Sequence, residues 1–257
     1  MNRRSRSGAY GSPRRGLTGN QLKVLGIVAI LIDNIGAVLI QGGILHGTDP
    51  ALYQAFTATP EGNWWVMAGE VCRYCGRLGF PILAFLTAEE FSRARDQKSY
   101  AIRMLVFAII SEVPFDLAVY HTLFYIHYQN MLFTLFAGIM VMMALEHTRK
   151  PLLQITALSA GCGLSWLLQF EYNVLGVLLV TAMYWFRRSE TAQLVSGIAL
   201  CAVESISCYC VSALAFVPIV MYNGRRGAFQ LKYMFYVFYP LHLVVLWGIG
   251  AWIAKGV

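Results

Sequence analysis

Glu70, Arg73 and Arg77 recur at spacings of three and four, which places them on one face of a helix. The two arginines open an apolar stretch, RYCGRLGFPILAFLTAEEF, that runs from Arg73 to Phe91 and carries Glu89 and Glu90 near its far end. A charge near the centre of a bilayer costs about 2.5–3.5 kcal/mol on insertion scales, so it faces a partner or a wet cavity. Guanidinium groups also hold phosphates and developing oxyanions in bidentate fashion. The other polar groups set into apolar runs are Asp33-Asn34, Glu112, Asp116, Asn130 and His242, with Arg225-Arg226 in a turn. His242 titrates near neutrality and suits a general base. Each residue has a plainer reading. His242 and Asp33 would then only hydrogen-bond between helices, and Asn130 would cap one. Arg73 and Arg77 would form buried ion pairs with Asp33, Glu112 or Asp116.

The elements that must position these groups are apolar. The chain has 257 residues, 58% hydrophobic and 13% charged, with mean hydropathy +0.57. About a quarter charged is usual for soluble domains, so too little charge is present to cover a soluble surface. Residues 1–20 read as a disordered basic tail, with Arg3, Arg4, Arg6, Arg14 and Arg15 suited to anionic lipid. Residues 21–257 read as one all-α domain, a polytopic membrane helix bundle of about nine spans. The spans are expected at 22–42, 66–91, 101–120, 130–145, 151–168, 173–186, 191–206, 208–222 and 233–254. Pro81 is expected to kink the second, and Glu112 and Asp116 flank Pro114 in the third. Glu171 and Tyr172 read as a tight turn, and Glu204 falls inside the seventh span.

Charge placement orients the bundle. Of the 20 Lys and Arg residues, all but Arg73, Arg77 and Lys255 fall on the tail and alternate loops of one side. By the positive-inside rule the N-terminus is cytoplasmic and the chain is a multi-pass protein of the inner (plasma) membrane. The net charge of +7 then follows from topology, so no nucleic-acid partner is expected. Depth follows from the same map, because ten helical residues cover about 15 Å, half the hydrocarbon core. Asp33, Arg77, Glu112 and His242 all lie roughly that far from their boundaries and share one level. The six cysteines sit mostly in apolar runs and read as buried thiols. Cys72-x-x-Cys75 lacks a second ligand pair, so neither a metal nor a tightly bound cofactor is expected.

Several blocks resemble the TraX family of membrane proteins: LKVLGIVAILIDNIG, CGRLGFPILAFLTAEEFSRAR, FAIISEVPFDLA, QNMLFT, YNVLGVLLVTAMYWFR, MYNGRRG and KYMFYVFYPLHL. They occur in the family's order across nearly the whole chain after the tail. The resemblance implies an integral membrane acyltransferase that carries acetyl from cytoplasmic acetyl-CoA to an amine or hydroxyl acceptor. TraX is associated with N-acetylation of conjugative pilin, so the acceptor would be a small molecule, a glycan or a pilin-like peptide. On this resemblance His242, Asp33 and Asn34 are the catalytic candidates. Arg73, Arg77, Glu112, Asp116, Asn130, Arg225 and Arg226 would bind acyl-CoA or acceptor. The chain departs from the family at one position, where Asp-His becomes Asp33-Asn34. Asn takes no proton, so His242 or Asp33 carries the base role, or the chain is a silent paralogue or scaffold, or the position was altered. Midplane charge also suits a small-molecule or proton-coupled transporter, although no paired repeat of broken helices is visible.

Overall fold

The computed structural model describes residues 16–47, 49–227 and 234–256. Arg3, Arg4, Arg6, Arg14, Arg15 and Lys232 lie outside them. Among the described residues the chain is helical, with two isolated bridges and no strand. α1 spans Gly19–Asn34, α2 Pro50–Thr57, α3 Pro60–Gly76, α4 Gly79–Arg93, α5 Gln97–Tyr120 and α6 Met131–His147. α7 spans Pro151–Leu167, α8 Asn173–Trp185, α9 Glu190–Glu204, α10 Phe216–Val220 and α11 Met234–Gly256.

The helix starts follow local chemistry. Thr18 and Gln21 form a capping box on α1, and Thr59, Asn130 and Ser189 cap α3, α6 and α9 through their side chains. Pro50, Pro60 and Pro151 open their helices, where a missing N–H costs nothing. Asp96 caps α5: Ser99 donates its backbone N–H at 3.0 Å and its hydroxyl at 2.5 Å to the carboxylate. These bonds, the hydroxyl first, hold Asp96 below its ordinary pKa of 3.8. A depressed carboxyl stabilises the fold above its unfolded value and loses that contribution as pH falls through the folded one. The thermal midpoint should therefore drop on acidification below about 3.8, and Asp96→Asn should flatten that part of the pH profile.

Several expected boundaries move. Residues 17–20, read as tail, are pinned instead: Leu17 N–H donates to the Met221 carbonyl at 2.8 Å, and Gly19 and Asn20 donate to Arg225 and Arg226 carbonyls at 2.8 and 3.0 Å. Past Asn34 the first helix widens into a π-helical segment, Ile35–Ile44. The loop after it contains α2 and the start of α3. The second expected span is not one helix kinked at Pro81. It breaks at Arg77–Leu78, and Pro81 lies in the first turn of α4. Pro81 has no N–H to give the carbonyl four residues back, at Arg77, so the break falls there.

The stretch 208–222 is not a span-length helix either. It forms short turns at Ile206–Cys208 and Val211–Ala215, then α10. Tyr209 and Cys210 both hold left-handed backbone, at φ 55° and 57°. Ser205 and Ser212 hydroxyls both donate to the Cys201 carbonyl at 2.8 Å, offering this backbone an alternative to helix.

Among the described residues two helices have the length and apolarity to cross a bilayer: Gly19–Ile44, of 26 residues, and Met234–Ile253, of 20. α6, α7 and α8 are apolar but have 17, 17 and 13 residues, short of the usual ~20. α5 has 24 residues but carries Arg103, Glu112 and Asp116. Nine uninterrupted span-length helices are thus not present among the described residues.

α4 is the hub: Gly79 to Ala88 is buried without interruption, against α1, α8 and α6. Phe80, Phe91, Leu22, Leu132, Leu135, Met183 and Leu243 are buried to within 2% around it. α5 runs along α11, and α3 packs on the π segment. Lys23 of α1 pairs with Glu90 of α4 at 2.5 Å. The bundle's outside is apolar too. α7 leaves Leu152, Leu153, Ile155, Trp166 and Leu167 exposed, and α5 leaves Ile102, Val106, Ile109 and Ile110.

α1 and α3 meet where glycine permits it. A Cβ on Gly76 would stand 2.1 Å from the Asp33 Cβ, and one on Gly36 would stand 2.8 Å from the Cys72 Cβ. Gly76→Ala should therefore force the helices apart and cost at least the ~1–3 kcal/mol typical of overpacking. A fall in thermal midpoint, together with loss of the neighbouring ion pair described below, checks this.

Candidate functional site

Asp33 and Asn34 end α1, just before the helix widens. Widened helical turns are frequent at functional sites. They turn to different partners. Arg73 Nη1 of α3 meets Asp33 Oδ2 at 2.6 Å. Asn34 Nδ2 lies 3.1 Å from His242 Nε2 of α11 and 3.1 Å from the Ile30 carbonyl. An amide nitrogen only donates, so His242 Nε2 is the acceptor. Its Nδ1 then carries the hydrogen and donates to the Phe238 carbonyl at 2.9 Å. The imidazole is thus held neutral, in one tautomer, and stacks on Phe238 at 4.5 Å and 4°. Two residues 208 positions apart in sequence form this contact.

Arg77 sits at the α3–α4 break. It pairs with Glu204 at the end of α9, Nη1 to Oε1 at 3.0 Å, and not with Glu112 or Asp116 as the sequence reading allowed. The irregular stretch after Glu204 supplies the reason, since ending α9 there leaves the carboxylate beside the opened turn at Arg77. Glu70 is exposed and joins neither pair.

Glu112 and Asn130 form a second group. Asn130 caps α6 by accepting from Leu132 N–H at 3.0 Å. Its Nδ2 donates to the Ala108 carbonyl at 2.9 Å and to Glu112 Oε2 at 2.5 Å. Its own N–H also points at Glu112 Oε2, at 3.3 Å. Glu112 therefore stands at the N-terminus of α6, where the helix dipole favours negative charge. Asp116 is engaged elsewhere, accepting Tyr125 N–H at 2.7 Å and so tying down the loop after α5.

Glu171 and two tyrosines join the groups. Glu171 lies within electrostatic reach of Asp33, Arg73 and Arg77. Tyr172, stacked on Phe80 at 3.6 Å, reaches Asp33, Arg77 and Glu204. Tyr239, one turn before His242 on α11, reaches Glu171, Tyr172 and Glu112. The centre thus holds four carboxylates and two guanidiniums drawn from α1, α3, α5, α9 and the α7–α8 connection. Asp33 Oδ1, Glu112 Oε1 and Glu171 Oε2 are buried with no partner among the described residues. Glu171, Tyr172 and Glu204 escaped the sequence reading of the site. Glu204 alone carried a signal, an ionisable group in an apolar run. Arg225 and Arg226 are not brought here. They are exposed at the start of α1, about 20 Å along its axis from Asp33.

These features define an all-helical protein with a neutral histidine and paired charges gathered from separate helices inside an apolar bundle. A family model described as TraX protein matches residues 18–250, and the chain belongs to that family. The chain is also similar to a probable fimbrial assembly protein, FimC of serogroup H1, from Dichelobacter nodosus. They are 26% identical over 251 residues, covering 88% of this chain and 93% of the relative. No solved structure matches the chain.

Proposed function

We propose that this protein is a multi-pass inner-membrane acyltransferase that moves acetyl from cytoplasmic acetyl-CoA to an amine or hydroxyl on a pilin-like acceptor. Three things support the reading. The chain belongs to the TraX family, and its relative is named for fimbrial assembly. Apolar side chains line the outer faces of α5 and α7, which suits lipid better than water. The observation that carries the chemistry is the Asn34–His242 contact, one residue from the Asp33–Arg73 pair.

In the proposed reaction the acceptor displaces Asn34 from His242 Nε2 and gives its proton to that nitrogen as its oxygen or nitrogen attacks the thioester carbonyl. Arg73 or Arg77 stabilises the oxyanion. The carbon–sulfur bond then breaks, and the CoA sulfur leaves with the proton held by His242. The products are acylated acceptor and free CoA. Asp33 holds Arg73 in place.

One observation favours a second reading, a silent scaffold in fimbrial assembly: the Asn34 amide occupies the only lone pair that His242 has for a proton. Purified protein in neutral-lipid nanodiscs with labelled acetyl-CoA and a pilin-like peptide separates the two. Transfer of label supports the enzyme. No transfer by the wild type, nor by Asn34→His, sinks it and leaves the scaffold.

A further inference from the structure

A cavity of about 410 Å³ lies at the far ends of α6 and α8, away from the charged centre. It is lined by Arg149, Arg187, Arg188, Glu146, Tyr184 and Trp185, among others. Its size falls in the range of small-molecule pockets, about 300–1,000 Å³. The charges within it do not cancel. Glu146 is the one acid in the lining. Both of its oxygens are taken, one by the Tyr184 hydroxyl and the other by Gln97 Nε2 at 2.5 Å. Arg187 is also accounted for: it donates to the Tyr184 carbonyl at 2.8 Å and lies 3.8 Å over the Tyr184 ring. That is the usual service of a cation at a helix C-terminus. Arg149 and Arg188 have no acidic partner among the described residues and are exposed to the cavity mouth. Trp185 beside them is half exposed and offers a flat apolar face.

Two unpaired guanidiniums beside a third that is locked in place match a ligand with several phosphate oxygens, because each fork takes two. We infer that this cavity binds clustered phosphate groups. Such groups come either from the nucleotide of a thioester donor, with Trp185 stacking on the base, or from anionic lipid headgroups. The nucleotide source rests on the acyltransferase reading; the lipid source does not. α8 places the cavity about 20 Å from Tyr172 and the charged centre, so a donor anchored here would reach the centre only by an extended arm.

The test uses the full chain in phosphatidylcholine nanodiscs, and the variants Arg149→Gln/Arg188→Gln and Arg149→Lys/Arg188→Lys. CoA binding is followed by calorimetry, and retention of phosphatidylglycerol by native mass spectrometry. Far-ultraviolet dichroism and the thermal midpoint establish that each variant is folded. The Gln pair should weaken one probe about tenfold or more, with the Lys pair in between. Loss confined to CoA assigns the nucleotide, and loss confined to phosphatidylglycerol assigns the lipid headgroup. Unchanged binding of both probes overturns the proposal. CoA binding that survives in a protein unable to transfer acetyl would count against the acyltransferase centre alone.

Discussion

His242→Gln should lower acetyl transfer by a factor of about 10²–10⁴, the range that a positioned general base supplies. The loss should fall on kcat, with CoA affinity unchanged, because His242 lies on α11 with its ring nitrogens on Asn34 and Phe238 and on no guanidinium. Glutamine keeps a polar side chain near the Phe238 carbonyl and the Asn34 amide, so the variant should stay folded. His242→Ala should lose activity to the same extent and also stability. It removes one hydrogen bond each from the Asn34 amide, which keeps the Ile30 carbonyl, and from the Phe238 carbonyl, at roughly 0.5–1.5 kcal/mol each. It also removes the ring stacked on Phe238. Initial rates with labelled acetyl-CoA, read beside thermal midpoints, decide the matter. A glutamine variant that retains more than a tenth of wild-type kcat would leave His242 a packing residue.

Arg73→Gln should destabilise the protein more than any other single change at the centre. It strands Asp33, whose side chain is 13% exposed and whose Oδ1 already lacks a partner. Breaking a fully buried pair costs about 3–5 kcal/mol, and the partial exposure of Arg73 brings the expectation down to about 2–4. Removing both charges together is cheaper than removing one. The double variant Asp33→Asn/Arg73→Gln should therefore recover much of the lost midpoint. If the double variant is as unstable as the single one, the pair contributes no coupling, and its place beside the histidine is incidental. Loss of acetyl transfer in the folded double variant would assign the oxyanion to Arg73, and retained transfer would assign it to Arg77.

Much of the architecture was legible from residue order. Apolar runs placed the starts of α1, α5, α6, α7 and α9 to within a few residues, at 22, 101, 130, 151 and 191 against Gly19, Gln97, Met131, Pro151 and Glu190, and in the structure local caps such as Thr18, Asp96, Asn130 and Ser189 set the remaining offset. Part of the centre was legible as well: Asp33, Arg73, Arg77 and Glu112 stand out as ionisable groups in apolar runs, whereas Glu171 and Tyr172 lie in a turn and do not. Asp33 was among the expected partners of Arg73, and the two do pair. The break in the second expected span was less legible. Pro81 marked it, but whether a proline bends a helix or begins one depends on the turn before it, and that turn opens at Arg77.

What the sequence determined by itself is the helical class, most helix starts, and which polar side chains must find partners away from water. Tertiary packing alone decided who those partners are. Arg77 meets Glu204, Glu112 meets Asn130 and Asn34 meets His242. The physical reason lies in the helices themselves. α6 is apolar almost all round, and α5 spreads its polar residues without a one-sided apolar stripe, so no stripe fixes which face turns inward. That rotation is set by close contacts such as Gly76 against Asp33, and each rotation selects a different partner for every buried charge.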